Sequence, residues 1–85
     1  MASPVYKILV IDTAIEMVLA VTAALKGERF SVISCSNSLK AIALAEQEIP
    51  HLVLVNLIMP ELDGIDICLA LRHKAALINT LIVEN

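Results

Sequence analysis

The stretch from His51 to Gly64, HLVLVNLIMPELDG, constrains the chain more than any other. Between Leu52 and Leu57 every residue but Asn56 is apolar. A continuous apolar run of about four to eight residues suits a strand buried on both faces, whereas a strand with one wet face alternates. Such strands belong to parallel sheets covered by helices above and below, which makes this an α/β chain.

The flanking segments agree. Lys7 to Asp12 (KILVID) is a second apolar run, ending in an acid, and reads as a central parallel strand whose C-terminal end opens on a site. Met1 to Val5 is expected to be a loose leader. A helix follows from Ala14 to Lys26, capped by Asp12 or Thr13, with Glu16 in its first turn and Gly27 at its end. Phe30 to Ser34 is a shorter strand, and Ser36 or Asn37 caps a helix from Ser38 to Glu48, with Leu39, Ile42, Ala43 and Leu44 inward. A third helix spans Ile65 to Lys74, with Ile67, Cys68 and Leu71 on its inner face and Arg72, His73 and Lys74 in its last turn. Thr80 to Val83 begins a fourth strand. His51 and His73 fall at element ends and are read as structural. The whole, residues 1–85, is one domain.

Composition adds one tension. Hydrophobic residues make up 59% of the 85 residues, above the roughly 45 to 50% usual in soluble domains. A chain this short hides only about 60 to 65% of its unfolded surface. Charged residues interrupt every apolar run before the roughly 18 residues of a membrane span, and the N-terminus lacks the form of a signal peptide. The expectation is a cytoplasmic protein with surplus apolar surface that meets another protein. The first helix is apolar on both sides: Ile15, Val18, Leu19, Thr22 and Leu25 face one way, Met17, Ala20, Val21 and Ala24 the other. Met17, Val18 and Val21 are therefore the candidate interface. A net charge of −3 and an aromatic inventory of Tyr6 and Phe30 argue against nucleic-acid binding by this domain. Cys35 and Cys68 have no metal-ligand spacing and read as small buried hydrophobes.

KILVID, LVLVNLIMPELDG and the IDICLALR that follows resemble the receiver domain of two-component response regulators, of the chemotaxis-regulator type, over essentially the whole chain. The resemblance implies a flavodoxin-like three-layer α/β/α fold with a parallel sheet in the order 2-1-3-4, incomplete because the last strand and last two helices of the family are missing. It also implies a site. In the family an aspartate at the end of the third strand accepts a phosphoryl group, aided by Mg²⁺ on an acid pair, a hydroxyl on the fourth strand and a lysine on the fifth. Here the acceptor position is Asn56 and the acid pair becomes Asp12 and Thr13. The hydroxyl position falls past Asn85, and the lysine strand is absent. Pro60 and the Asp63-Gly64 turn match the family and shape backbone only.

An amide carries no anionic oxygen to attack phosphorus. A single carboxylate is also a poor Mg²⁺ site. The expected function is thus a non-enzymatic pseudo-receiver that signals by protein contacts, with no cofactor and Mg²⁺ binding weak or lost. It would pair with itself as a homodimer or higher oligomer, closing an open β4 edge and a partly bare sheet face. The alternative is the N-terminal part of a longer phosphotransfer regulator whose acceptor is replaced by Asn56. A flavin or nucleotide site is disfavoured, because DTAIE after the first strand is no glycine-rich phosphate loop.

Overall fold

The structure, a computed structural model, describes residues 5–25, 27, 29–56 and 64–84, with backbone alone at 38 and 39. Its elements are β1 (Tyr6–Ile11), α1 (Ile15–Ala24), β2 (Phe30–Cys35), α2 (Ser38–Glu48), β3 (Leu52–Val55), α3 (Gly64–Arg72), a short 3₁₀ turn (Ala75–Leu77) and β4 (Leu81–Glu84). All four strands join one parallel sheet in the order β2-β1-β3-β4. This is the doubly wound, flavodoxin-like arrangement that the apolar runs of β1 and β3 demand.

Strand parity divides the core. Leu9, Ile11, Val53 and Val55 point to one face and are wholly buried with Ala41 and Ala45 of α2 and Ile67, Cys68 and Leu71 of α3. Burial of each such aliphatic side chain stabilises by about 1.5 to 3 kcal/mol. The inner face of α3 is as expected. That of α2 is shifted: Ala41 and Ala45 are the buried residues, Ile42 and Leu44 are half-buried, and Ala43 is exposed. Two alanines one turn apart let the helix lie close on the sheet, and the larger side chains spread to either side. The side chain of Leu39 lies outside the described residues, as do Met1 to Pro4, Leu57, Pro60 and Asp63.

Local chemistry places the helix ends. Asn37 is the cap of α2, its Oδ1 accepting the Lys40 N–H at 3.2 Å. The expected cap of α1 is corrected. The helix starts only at Ile15, with Ala14 as its cap residue and no side-chain cap bond. Thr13 lies one residue too early to reach the free N–H groups of the first turn. α1 also ends at Ala24, two residues before Lys26; Gly27 follows in the turn with φ +154°, a conformation that side-chain-bearing residues rarely adopt.

His51 is structural, and its contacts tie three strands at their N-terminal ends. Its Nδ1 accepts the Lys7 N–H at 2.9 Å, its own N–H donates to the Lys7 carbonyl at 2.9 Å, and its carbonyl accepts the Leu81 N–H at 3.0 Å. Its ring meets Tyr6 edge-on, with centroids 5.1 Å apart. At the other end of the sheet Arg72 pairs with Glu84 at 2.9 Å, joining α3 to β4.

The other face carries Ile8, Val10, Leu54 and Val83, and its cover is uneven. Ile8 and Val10 are buried, Leu54 is half-buried, and Val83 and Leu81 on the edge strand are 37% and 63% exposed. α1 lies on this side without one fully buried residue.

Truncation of a core and a surface leucine on the same helix separates these roles. Leu71→Ala is expected to lower unfolding free energy by about 2 to 5 kcal/mol. Leu69→Ala, at a position 52% exposed, should cost well under about 1 kcal/mol by the same urea titration.

Candidate functional site

The register of β1 against β3 pairs Ile11 with Val55, so the residues that follow both strands emerge side by side. These are Asp12 and Asn56. The Asn56 backbone N–H donates to the Ile11 carbonyl at 3.0 Å, extending the ladder by one rung. Asp12 is anchored from the other side, where its own N–H donates to the Cys35 carbonyl of β2 at 3.1 Å.

Asp12 is 4% exposed and is the buried charged residue among those described. A carboxylate in that position needs donors, because leaving it unpaired costs several kcal/mol. It has two on one oxygen. The Ala14 N–H donates to Oδ1 at 2.8 Å, closing a tight turn at the foot of α1, and Asn56 Nδ2 donates to the same Oδ1 at 3.1 Å. A carboxylate only accepts, so the amide must present its NH₂ group. The geometry therefore ties the ends of two central strands through one carboxylate. Thr13, the neighbour of Asp12, is exposed.

These residues do not fit a Mg²⁺ ion. A small hard cation takes octahedral oxygen ligands and favours anionic ones. Here one carboxylate already has two N–H donors on one oxygen, Thr13 offers a neutral hydroxyl, and Asn56 turns its donor side inward. Among the described residues no three of His, Cys, Asp and Glu come together.

Beside this cluster a groove of about 270 Å³ opens on the less covered face of the sheet. Its floor is Val10, Leu54 and Val83, and its helical wall is Met17 and Val21. The expected interface trio is thus split. Val18 turns to the other flank, toward β2, where with Ile15 and Leu19 it lines a second cavity against Ser34 and Cys35. One turn of helix separates Met17 from Val21, whereas Val18 sits about 100° around the axis from Met17. Sequence reading did not name Val10, Leu54 and Val83 as groove residues. Strand parity contained that signal, since each lies on the face opposite the α2 and α3 core.

Comparison with known proteins places the chain. A family model described as the response regulator receiver domain matches residues 8–84. The chain belongs to the response regulator receiver domain family. Receiver domains are the signalling modules of two-component response regulators. The chain is 35% identical over 68 residues to the alkaline phosphatase synthesis transcriptional regulatory protein PhoP of Bacillus subtilis, covering 80% of this chain and 28% of that protein. It is 33% identical over 66 residues to the DNA-binding response regulator MtrA of Mycobacterium tuberculosis, covering 78% and 29%. The chain therefore spans under a third of the length of these relatives. Among solved structures, the Vibrio cholerae chemotaxis protein CheY4 superposes with a TM-score of 0.84 at 21% identity, over 94% of this chain and 67% of that one. A putative response regulator from Chloroflexus aurantiacus gives 0.84 at 17% identity, over 96% and 66%. These likenesses support the fold.

Neither cysteine side chain takes part in the Asp12–Asn56 contact. Cys68 is buried in the α3 core, and burial above all pushes its thiol above the ordinary value, with the nearby Glu84 carboxylate adding to the shift against the opposing charge of Arg72. A raised thiol favours the protonated form in the fold. Its contribution is therefore intact below the ordinary thiol range and is lost as pH rises through and beyond it. Iodoacetamide at pH 8 is expected to label the half-buried Cys35 of the native protein well before Cys68, with urea equalising the two by peptide mass mapping.

Asn56→Asp tests the tie directly. It exchanges a donated hydrogen bond for a second carboxylate roughly 3 Å from the first, so one of the pair resists ionisation. Each unit by which its folded value is raised costs about 1.4 kcal/mol once pH exceeds the unfolded value of about 4. The variant should be about 1 to 3 kcal/mol less stable than the parent at pH 7. The gap should narrow as pH falls toward about 4.

Proposed function

We propose that this receiver domain is a pseudo-receiver, a regulatory module that takes no phosphoryl group and acts through protein contacts. The observation that carries the reading is the amide of Asn56, which donates to Asp12 at 3.1 Å and which this reading assigns to the acceptor position. Phosphoryl transfer to a side chain needs an oxygen nucleophile with available electron density. An amide oxygen is a weak nucleophile, and the nearest carboxylate is already a hydrogen-bond acceptor for two N–H groups. On this reading the module needs no cofactor, binds Mg²⁺ weakly or not at all, and has no catalytic residue.

Contact is then the remaining output. Apolar side chains on the exposed surface favour association over a free monomer, with Ile15 and Leu19 of α1 67% and 61% exposed and Leu81 on the edge strand 63%. We take the first partner to be a second copy of the chain. A cytoplasmic location suits such a module, and no described helix is long and apolar enough to cross a membrane.

A second reading is favoured by the length comparison. Because relatives such as PhoP and MtrA extend well beyond the matched region, the same domain can serve as the N-terminal part of a longer regulator. Its acceptor would still be replaced by Asn56, and its output would pass through the attached segment.

Incubation with acetyl phosphate and Mg²⁺, followed by intact-mass spectrometry, is expected to leave the mass unchanged. Mg²⁺ alone should not shift the thermal midpoint. A phosphoryl adduct mapped to Asp12, or a Mg²⁺-dependent rise in the midpoint, would overturn the pseudo-receiver reading. In Thr13→Asp/Asn56→Asp the acid set is restored, and a rise in midpoint with Mg²⁺ is expected there alone.

A further inference from the structure

At the N-terminal ends of the strands, away from Asp12 and Asn56, one rung of the sheet is made by a side chain. In a parallel ladder, a residue whose carbonyl accepts an N–H from the facing strand sends its own N–H to the carbonyl two residues before that donor. The Lys7 carbonyl accepts the His51 N–H at 2.9 Å, so the carbonyl due to the Lys7 N–H is that of Ile49. Ile49 has φ +46°, outside strand geometry, and its own N–H closes the end of α2 on the Ala45 carbonyl at 2.8 Å. The Pro50 carbonyl takes the Thr80 hydroxyl at 2.7 Å. The Lys7 N–H goes instead to Nδ1 of the His51 ring, at 2.9 Å.

An imidazole nitrogen and a backbone carbonyl are not equivalent acceptors. A carbonyl accepts at any pH, whereas a ring nitrogen accepts only while it carries no proton, which in the neutral ring means the tautomer with hydrogen on Nε2. Protonated imidazole has an N–H at both nitrogens, so Nδ1–H would face the Lys7 N–H, donor against donor. Histidine is the side chain that ordinarily changes charge between about pH 5 and 8.

Among the described residues, the titratable groups beside the ring are Tyr6 and Lys7 of β1 and Glu48 at the end of α2, with Arg29 beyond Tyr6, whose N–H its carbonyl accepts at 2.7 Å. From β4 the contact is Leu81, which does not titrate. Lys7 Nζ and Glu48 Oε2 pair at 3.0 Å, so that ammonium and that carboxylate offset each other.

We propose that His51 is an acid-released pin: the neutral ring holds the start of β1 on β3, and protonation in mildly acid solution undoes that rung and frees the Tyr6 end of the strand. Tyr6 meets the His51 ring at 5.1 Å and the Phe30 ring at 6.2 Å, so the segment let go carries an aromatic contact to each neighbouring strand. The device goes beyond the pseudo-receiver reading. It holds whether or not the domain takes a phosphoryl group.

Amide hydrogen exchange followed by NMR on the 85-residue chain, expressed as protection relative to the intrinsic rate at each pH, tests it. In the parent, Lys7 protection is expected to fall about fivefold between pH 8 and pH 5. Leu9, deeper in the same strand, should change by less than about twofold. Ring nitrogen shifts at pH 8 should place the hydrogen on Nε2. His51→Asn puts an amide oxygen near the place of Nδ1, an acceptor that does not titrate, and should hold Lys7 protection level across this range. His51→Phe keeps an aromatic edge for Tyr6 without an acceptor, and should show the low protection at both pH values.

Lys7 protection that stays level in the parent would overturn the proposal, as would a ring bearing hydrogen on Nδ1 at pH 8. An acid-induced fall that persists in His51→Asn would overturn it too and assign the effect to the Lys7–Glu48 pair. His73 is kept in every variant and cancels from the comparison.

Discussion

The pairing of β1 with β3 is the constraint on which the rest of the molecule depends. It sets Leu9 and Ile11 beside Val53 and Val55 on the face that meets α2 and α3, and these four side chains are wholly buried. The same register brings both strands to an end at one level, so that Asp12 and Asn56 meet. A shift of one residue would turn every side chain of β3 to the opposite face. Hydrophobic burial therefore holds in place a polar contact that could not choose its own position.

That polar contact has a consistent physical character. A carboxylate hidden from water is tolerated because an amide and a backbone N–H both donate to it. In a receiver built for phosphoryl transfer the same corner would gather several carboxylates, whose mutual repulsion a cation relieves. On the proposed reading Asn56 and Thr13 stand in for two of those carboxylates, which removes that repulsion and with it the reason for a metal. Structural closure and chemical competence make opposite demands on this corner, and the residues present meet the first.

The two sheet faces differ for a related reason. On one, two helices and the central strands close a continuous core, aided by Ala41 and Ala45. On the other, Ile8 and Val10 are buried but Leu81 and Val83 of β4 stay exposed. A small domain has little stability in reserve, so exposed apolar surface of this kind bears on association as well as on folding. The uneven cover links packing to the proposed output of the domain.

Much of this was legible in the sequence. Unbroken apolar runs in β1 and β3 required a parallel sheet with helices on both faces, and α2, whose observed limits Ser38–Glu48 match the expected ones, followed from its cap and periodicity. Asn56 stood out because a single polar residue ended an otherwise apolar strand. Pattern carries such information because burial acts on each residue type locally and repeats with the period of the element. What tertiary structure alone decided concerns relations between elements. Only the fold decided that Asn56 donates to Asp12 rather than to Thr13, that Ala41 and Ala45 seat α2 against the sheet, and that Met17 and Val21 face a groove from which Val18 turns away. Sequence placed all three on an apolar helix, but a helix that is apolar all round has no preferred side until a sheet is set against it. Composition told how much surface had to be hidden, and strand order decided where it was left open.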